Sequence, residues 1–525
     1  MVLPDVFFIV LDTQRADRLG CYGYDRAHTP HLDQFAKESA LFKQAVSPAQ
    51  WTIPSHASLF SGLYPTAHQV IQSDRRLTTN IPHLAEVMSL AGYDTVAFCN
   101  NPLVGVLDNG LQRGFQQFYN YGGAAPQPPA IADRWPWPLN LANQAYNQLL
   151  GHIATPIQNF VGRSDWAFQL SLNRWLTPIW SKMANFKGQN ERSVADLSLF
   201  LNDHEQQAAT SPQKPLFLFL NLMETHLPFW PPAKHMDRIN PQLRSDPAAR
   251  DIIRQWNREA YRWPMPLPEP LPKLEAQVLS DMYDAEVTYQ DDYLGQLFTT
   301  LKNRRNAHNT LTVIVGDHGD GLGEHQYMGH AFVAYEELLH VPLLLHWPAQ
   351  IQPTKIDTAV STRRVFHTIC SVAGDLPTGI PQLDYQGIER LSLLETITGE
   401  DPEDGTAYGE VYPPLNFVRA IEKRAPSLIE PFRCTSVRRA VVRDNWKLIR
   451  VDEQPDELFD LTTDPAEIAN KLSHEVAQGA TLNQTIHKKT AELQWQQDQL
   501  STGQEIGVDN DEQLLERLRG LGYID

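Results

Sequence analysis

Short apolar runs, separated by segments with helical spacing, mark the first two thirds of the chain. The apolar runs cover residues 6–11, 95–99, 216–220 and 312–315. None of them alternates cleanly between apolar and polar positions, which is typical of strands covered on both faces. Helical patterns such as 31–39 and 81–91 lie between the runs. The pattern predicts an α/β fold, with a large mixed, mostly parallel sheet flanked by helices.

Polar residues follow three of these predicted strands at the point where each one ends. Asp12 comes directly after the first strand, and Asp317 and His318 come directly after the fourth. Glu224 and His226 follow the third strand at a short distance. Because ligands of open α/β sheets bind beyond the carboxyl ends of the strands, we expect these side chains to converge.

Two segments interrupt the α/β pattern. Between residues 121 and 190 the composition shifts to Pro, Trp, Gln and Asn, which predicts an insertion with helices at 139–161 and 166–183. A Pro-rich stretch at 263–272 is too rigid for a helix or a central strand, and we expect a surface strap there. A helix is predicted at 274–301, where apolar residues recur at helical spacing.

The elements become shorter after about residue 374. Residues 438–442 and 446–451 have the composition of two hairpin strands joined through Asp444 and Asn445. A further apolar segment at 457–461 continues the pattern. These features predict a short antiparallel sheet.

The changes of pattern predict two domains. The larger, at 1–375, is the α/β unit and carries the helical insertion at about 121–190. The smaller, at 376–525, is an α+β domain with the short antiparallel sheet and a terminal helix. A hydrophobic content of 42% is sufficient for a buried core in such a chain.

Charge, cysteine content and hydropathy limit the kinds of binding partner and the cellular compartment that we expect for this chain. A net charge of −18 repels a phosphate backbone and argues against nucleic-acid binding, whereas a small anionic substrate is allowed beside a metal ion. The four cysteines lie far apart without CxxC spacing, which predicts no zinc knuckle or disulfide framework. The chain begins like a buried strand, without the basic region of a signal peptide, and no run has the ~18 apolar residues of a membrane span. We expect a cytoplasmic protein without a transmembrane segment; the sequence makes no prediction about its oligomeric state.

The hydroxyl of Thr52 stands where a helix is expected to begin. Thr52 can cap a helix that has Pro54 in its first turn, where proline is tolerated. A hydroxyl there also lies beside free backbone N–H groups and the positive end of the helix dipole, which favour an anion. This segment alone is equally typical of an ordinary helix cap.

An adjacent carboxylate and imidazole form the second chemical signal. Asp317 and His318 lie in a Gly-rich turn, and with Asp12 and Thr52 they offer two carboxylates, one imidazole and one hydroxyl. This set of oxygen and nitrogen ligands suits Zn²⁺ or Mn²⁺, with Mg²⁺ or Ca²⁺ less favoured because of the imidazole. We expect one divalent metal ion; the alternative is a hydrogen-bonded turn.

Six motifs then occur in the order found in a known family. They are residues 12–23, 52–56, 62–65, 226–228, 317–320 and 322–325. With further matches at 335–337 and between 446 and 465, the chain resembles the sulfatase family of the alkaline phosphatase superfamily over nearly its whole length. The resemblance implies the α/β fold of that family and hydrolysis of an ester.

The resemblance also implies roles for individual residues. Asp12, Asp317 and His318 match the positions that hold the metal ion. Thr52 matches the position of the nucleophile, which is also a metal ligand.

Three histidines complete the site that the resemblance implies. His226 and His330 match positions that contact the non-bridging oxygens of the ester, and a lysine is usual where His330 stands. His56 replaces the usual arginine of the nucleophile motif. For His226 and His330, ordering of a loop is the alternative role.

The chain departs from the family at the nucleophile and beside the metal ligands. Sulfatases have a cysteine or serine that is oxidised to formylglycine; oxidation of Thr52 would give a ketone, so formylglycine is not expected. Thr13 replaces the second aspartate of the metal pair. Glu224 and His226 could help to hold a second metal ion, although the Asp-x-x-x-His spacing of two-metal relatives is absent.

These features predict a metal-dependent hydrolase of sulfate or phosphate-type esters that forms a covalent intermediate on Thr52. Two carboxylates and a Thr52 alkoxide against one divalent cation leave about one negative charge, which favours a monoanionic diester, phosphonate monoester or sulfate ester over a dianionic phosphate monoester. A threonine ester must be cleaved by a second in-line attack, which favours phosphodiester or phosphonate chemistry over sulfate. The alternatives are a transferase of phospho-headgroups and a non-catalytic sulfatase-like binding protein.

Overall fold

A computed structural model describes residues 3–26, 28–123, 126–129, 187–376, 378–380 and 383–500, together with short stretches between 167 and 177. The insertion helix predicted at 139–161 lies outside the described residues, and so does most of the helix predicted at 166–183. Across the described residues, no helix combines the length and the apolar character needed to cross a membrane.

Strands and helices alternate along the first two thirds of the described chain. The strands are β1 (Asp5–Leu11), β2 (Ala40–Phe42), β3 (Ala45–Val46), β4 (Asp94–Cys99), β5 (Gln117–Asn120), β6 (Leu216–Leu222), β7 (Thr310–Gly316), β8 (Gly321–Leu322), β9 (Met328–Gly329), β10 (His340–Val341), β11 (Leu343–His346), β12 (Thr354–Ile356), β13 (Val360–Ser361), β14 (Thr406–Val411), β15 (Arg438–Arg443), β16 (Trp446–Val451) and β17 (Gln454–Asp460). The α-helices are α1 (Pro30–Ala36), α2 (Thr52–Ser61), α3 (Pro65–His68), α4 (Leu84–Leu90), α5 (Pro102–Gly105), α6 (Asn190–Ala208), α7 (Ala233–Ile239), α8 (Gln242–Ser245), α9 (Pro247–Arg258), α10 (Lys273–Lys302), α11 (Glu336–Leu339), α12 (Arg364–Val372), α13 (Tyr385–Arg390), α14 (Leu393–Thr398), α15 (Leu415–Arg424) and α16 (Val476–Leu500).

The main sheet has eight strands within the described residues, in the order β12-β2-β11-β7-β1-β6-β4-β5. Strands β7, β1, β6, β4 and β5 pair in parallel, and β11 pairs antiparallel with both β7 and β2. The predicted fold class, a large mixed and mostly parallel sheet, is confirmed.

Both faces of the central strands are buried, which explains why their sequences lack alternation. Val6, Phe8 and Val10 of β1 point into one hydrophobic core, whereas Phe7 and Ile9 point into the other. Helices α2, α4 and α12 cover the first face, and α6 and the long helix α10 cover the second. The strands therefore end in a layer that is shielded by helices on both sides.

The Pro-rich stretch at 263–272 forms neither a helix nor a strand, apart from one isolated bridge between Pro266 and Tyr327. The stretch does not lie entirely on the surface, as the predicted surface strap would, because Met265 and Leu267 are buried. The N–H of Leu267 donates to the carbonyl of Gln326 at 2.7 Å, which ties the stretch to a loop that follows β7.

A second, antiparallel sheet has the order β14-β15-β16-β17, so the predicted C-terminal hairpin is confirmed. Its turn, Asp444 and Asn445, has positive φ angles at both residues, as a tight hairpin turn requires. One face of this sheet packs on loops of the main sheet, and the other packs under the terminal helix α16.

Helices α13 and α14 pack against α12 and contribute Ile388 and Leu393 to a core of the main sheet, and Leu383, just before α13, joins the same core. The domain boundary at residue 375 stays a prediction, and this packing favours a boundary closer to residue 400.

Candidate functional site

The site lies where the central strands end. In the register of the main sheet, Leu11 of β1 pairs with Leu222 of β6 and with Gly316 of β7. The residues that follow β1 and β7, Asp12 and Asp317, therefore leave neighbouring strands at the same level. The structure brings these two carboxylates together, as the sequence pattern led us to expect.

Asp12, Asp317 and His318 form a buried cluster whose potential ligand atoms lie within 4.8 Å of one another. Oδ1 of Asp12 and Oδ2 of Asp317 have no hydrogen-bond partner among the described residues, although an unpaired buried oxygen is costly. Nδ1 of His318 bonds to the carbonyl of Gly319 at 2.8 Å, which leaves Nε2 as its ligand atom. Two carboxylate oxygens and an imidazole nitrogen fit a divalent cation such as Zn²⁺ or Mn²⁺.

Burial controls the protonation of this cluster. It raises the pKa of Asp12 to about 6, and it raises the pKa of Asp317 well above the ordinary value, with the charge of Asp12 adding to the effect. Burial also lowers the pKa of the His318 imidazole, which is therefore neutral at pH 7. Two mutually repelling carboxylates beside a neutral imidazole are an arrangement that a divalent cation would stabilise.

Thr52 is the first residue of α2, and it is 1% exposed. The sequence led us to expect that its hydroxyl caps the helix, and this prediction is wrong, because Trp51 occupies the N-cap position. Instead Oγ1 lies 3.4 Å from Nε2 of His318. The start of the helix thus directs the hydroxyl at the carboxylate and imidazole cluster.

Asn101 is a residue of the site that the sequence analysis missed. Its Nδ2 donates to Oδ2 of Asp12 at 2.5 Å and to Oγ1 of Thr52 at 3.4 Å. The backbone N–H of Asn101 donates to Oδ1 of Asn221, a buried residue of β6. The signal was present, because Asn101 follows the strand predicted at 95–99 just as Asp12 follows the first strand.

His56 lies one turn further along α2, with its ring fully buried. Its Nδ1 bonds to the carbonyl of Thr52 at 3.0 Å and lies 3.4 Å from Oδ2 of Asp317. Burial lowers the pKa of His56 to about 4, so the side chain is neutral at pH 7. It supports the first turn of the helix and does not supply the permanent positive charge of an arginine.

His226 and His330 lie together beside the cluster. The centroids of the two rings are 5.0 Å apart, and the ring of His330 is 4.6 Å from that of His318. Burial lowers the pKa of His226 well below its ordinary value, and the nearby His330 adds to this effect. The two histidines that sequence resemblance placed in one site are therefore neighbours in the fold.

Thr13, which stands where the family has a second aspartate, has a different role. Its Oγ1 donates to the carbonyl of Asp12 at 2.7 Å and lies 3.0 Å from the hydroxyl of Thr225. Its backbone N–H donates to Oδ1 of Asp317 at 3.1 Å. Thr13 thus orders the turn and positions a carboxylate.

Glu224 contacts a cation of the chain itself. Nζ of Lys187 lies 3.6 Å from Oε1 of Glu224 and 2.7 Å from Oε1 of Glu286. Burial raises the pKa of Glu286 to about 8, although the Lys187 charge opposes this shift. A second metal ion held by Glu224 and His226 stays a prediction.

Comparison with known proteins places this geometry in context. The family model described as Sulfatase matches residues 4–375. An arylsulfatase of Clostridium perfringens is 24% identical over 411 residues, which cover 75% of this chain and 78% of that protein. The region matched by the family model, residues 4–375, includes Asp12, Asp317 and His318, which form the cluster.

Two solved structures of phosphonate monoester hydrolases have the same fold. The enzyme of Agrobacterium radiobacter has a TM-score of 0.58 at 17% identity, covering 96% of this chain and 97% of that chain. The enzyme of Silicibacter pomeroyi has a TM-score of 0.58 at 20% identity, covering 93% and 95%.

Proposed function

The chain belongs to the sulfatase family of hydrolases, and from this premise we propose that it is a metal-dependent hydrolase of monoanionic sulfate or phosphate-type esters, acting through a covalent intermediate on Thr52. Within that range, a phosphodiester or a phosphonate monoester fits the site better than a sulfate ester.

One observation carries the proposal. The Thr52 hydroxyl, at the start of a buried helix, faces a cluster in which one oxygen of each carboxylate, Oδ1 of Asp12 and Oδ2 of Asp317, is unpaired within the described residues. Asp12, Asp317 and His318, with Thr52, would hold the cation. A buried hydroxyl aimed at a potential metal site is the arrangement that an activated nucleophile requires.

The chemistry follows from these positions. When bound, a divalent cation would lower the pKa of the Thr52 hydroxyl and offset the charge that develops on the transferred group. Oγ1 of Thr52 attacks phosphorus or sulfur, and the alcohol of the ester leaves with a proton. Water then attacks the same atom in line, and Oγ1 of Thr52 leaves and regains its proton. Asn101 holds the carboxylate of Asp12 and the Thr52 oxygen in place throughout.

The electrostatics of the site support a singly charged ester. The described hydrogen-bond partners of Thr52 are the imidazoles of His318 and His56 and the amide of Asn101. Burial lowers the pKa of both imidazoles, so they add no positive charge at pH 7. One divalent cation is then nearly balanced by the two carboxylates, and a dianionic group would be repelled more strongly than a monoanionic one.

The nucleophile supports phosphorus chemistry over sulfate. A threonine ester has no hemiacetal hydroxyl from which the transferred group can be eliminated, so a second in-line displacement is needed. The structural likeness to two phosphonate monoester hydrolases is consistent with this choice.

The test is an activity panel on the metal-reconstituted protein, with wild type, Thr52→Ala and Thr52→Ser. The substrates are 4-nitrophenyl sulfate, bis(4-nitrophenyl) phosphate, 4-nitrophenyl phenylphosphonate and 4-nitrophenyl phosphate. We expect the two monoanionic phosphorus esters to have the highest kcat/KM. Thr52→Ala should lower it at least about 10³-fold, while Thr52→Ser retains part of the activity.

The control is Thr481→Ala, which removes an exposed hydroxyl from α16 and should leave turnover unchanged. Added alcohols test for transfer to an acceptor other than water. Undiminished turnover by Thr52→Ala would exclude the nucleophile, and chelation without loss of activity would exclude the metal. Turnover of none of the four esters would favour the non-catalytic alternative.

A further inference from the structure

His330 has a charged hydrogen-bond partner of its own. Its Nδ1 lies 2.8 Å from Oδ1 of Asp320. Because a carboxylate oxygen accepts, the imidazole donates from Nδ1, and Nε2 is the ring nitrogen that remains for the substrate.

Asp320 is itself firmly held. It is fully buried, and its backbone carbonyl accepts from Nη1 of Arg15 at 3.1 Å. Arg15 in turn forms ion pairs with Asp17 at 2.7 Å and with Glu324 at 2.8 Å. The backbone of Asp320, whose carboxylate contacts His330, is therefore held in place by an ion-pair network.

The imidazoles of His226 and His318 are oriented by the backbone. Nδ1 of His226 bonds to the carbonyl of Leu227, and Nδ1 of His318 bonds to the carbonyl of Gly319. In each case the partner is the residue that follows the histidine. His330 differs, because its partner is a side chain ten positions earlier.

We propose that Asp320 is a positioning residue for His330, which fixes the tautomer and the orientation of the imidazole so that Nε2 faces the ester. This inference rests on the proposed function, since it assigns His330 to the substrate. An ammonium group at this position presents equivalent hydrogens and needs no orienting partner, whereas an imidazole has two different nitrogens. A histidine at position 330 therefore requires a partner that fixes its tautomer, and the carboxylate of Asp320 is that partner.

The first test is a double-mutant cycle on the metal-loaded, full-length protein with Asp320→Asn, His330→Lys and the double variant. In the wild-type background we expect Asp320→Asn to lower kcat/KM about 10- to 100-fold. In the His330→Lys background the same change should cost less than about threefold, because no tautomer is left to fix. Equal costs in both backgrounds would mean that Asp320 acts only through the structure of its loop, and would overturn the proposal.

The second test does not depend on activity. Proton-coupled ¹⁵N spectra of histidine-labelled, metal-loaded protein at about pH 9, where an imidazole is neutral, report which ring nitrogen carries the proton. The His330 signals, identified by their absence in His330→Lys, should show a proton on Nδ1 in the wild type and a shift toward Nε2 in Asp320→Asn. Unchanged signals would overturn the proposal even if His330→Lys were inactive.

The control is Asp357→Asn, which removes an exposed carboxylate paired with Lys43 and should change neither readout. The two proposals fail separately. A changed tautomer together with undiminished turnover by Thr52→Ala would reject the proposed function alone. A dead Thr52→Ala with an unaffected Asp320→Asn would reject only this inference.

Discussion

At the scale of single residues, the buried carboxylate of Asp12 lowers the stability of the metal-free protein at pH 7. It is fully buried, and burial raises its pKa from 3.8 to about 6, despite the hydrogen bond from Asn101. Between these two pH values the folded state binds more protons than the unfolded state, so the stabilising contribution of the protonated group is lost as the pH rises through 6. The metal-free protein therefore bears a cost at pH 7 that a bound cation would remove.

We predict that Asp12→Asn abolishes turnover and yet raises the Tm of the metal-free protein at pH 7. The gain comes from removing a buried charge, and it should shrink toward zero as the pH falls below about 4, where the carboxyl becomes protonated in the unfolded state as well as in the folded one. Thermal unfolding of chelated wild type and variant across this pH range measures it. Saturating metal should raise the Tm of the wild type but not that of Asp12→Asn, and a variant less stable than wild type at pH 7 would contradict the prediction.

At the scale of elements, the sequence predicted the strands that are formed by long apolar runs. Strands β1, β4, β6 and β7 were expected because a run buried on both faces needs several consecutive apolar residues. Short strands such as β2 and β12, three residues each, were not predicted, because their pairing depends on the rest of the sheet. The direction of the Thr52 hydroxyl could not be predicted from the sequence either, because it depends on which residue occupies the N-cap position.

The candidate site could be predicted to the same extent. Asp12, Asp317 and His318 follow long strands, so the rule about strand ends was enough to bring them together. The side chain of Thr13 was not predictable, because its partner Thr225 lies on another loop. The partnership of Asp320 with His330 likewise depends on how the chain between them folds back.

Helix α2, which carries Thr52, is buried along its whole length and ends at Gly62. Gly62 has φ +74°, and a Cβ there would come within 2.6 Å of His367 and 2.7 Å of Phe366 on α12. Only glycine meets both conditions, the left-handed backbone and the close approach. The end of α2 is therefore set by its contact with α12.

We predict that Gly62→Ala destabilises the protein by about 2–4 kcal/mol, from backbone strain and overpacking combined. The matched control is Gly399→Ala at the end of α14, where φ is +102° but nothing lies within 4 Å of an added Cβ. That variant should cost only about 1–2 kcal/mol. Chemical unfolding of both variants separates strain from overpacking, and equal losses would mean that α12 yields without cost. Turnover should fall in Gly62→Ala alone.

At the scale of the whole molecule, the C-terminal sheet supports the loops of the site. Glu410 of β14 accepts from the backbone N–H of Thr66, just beyond α2, at 2.7 Å. Nε2 of Gln50 donates to the carbonyls of Ala331 and Tyr412, and so joins the segment before Thr52 to the segment after His330 and to the end of β14. The segment before Thr52 and the segment after His330 thus depend on contacts with this sheet.

Another of these contacts is a buried ion cluster. Nζ of Lys447, on β16, lies 2.9 Å from Glu336 on α11 and 2.9 Å from Glu467. Lys447 is fully buried, and its charge lowers the pKa of Glu336. The segment that includes Glu336 also holds the turn that carries His318, because the N–H of Gly319 donates to the carbonyl of Leu338 at 2.8 Å. A charge on the small sheet is therefore linked to the position of His318 on the large one.

We predict that Lys447→Met destabilises the protein by about 3–5 kcal/mol, because it leaves two buried carboxylates facing each other without a cation. Metal affinity should fall as well, since the turn that carries His318 loses its support. Lys471→Met is the control, because Lys471 pairs with Asp460 at the surface of the same sheet and such pairs contribute at most about 1 kcal/mol. Adding Glu467→Gln to Lys447→Met should restore part of the stability by removing one of the repelling charges. If chemical unfolding and metal titration gave equal results for both lysine variants, the cluster would not couple the two sheets, and the small sheet would support the site through apolar packing alone.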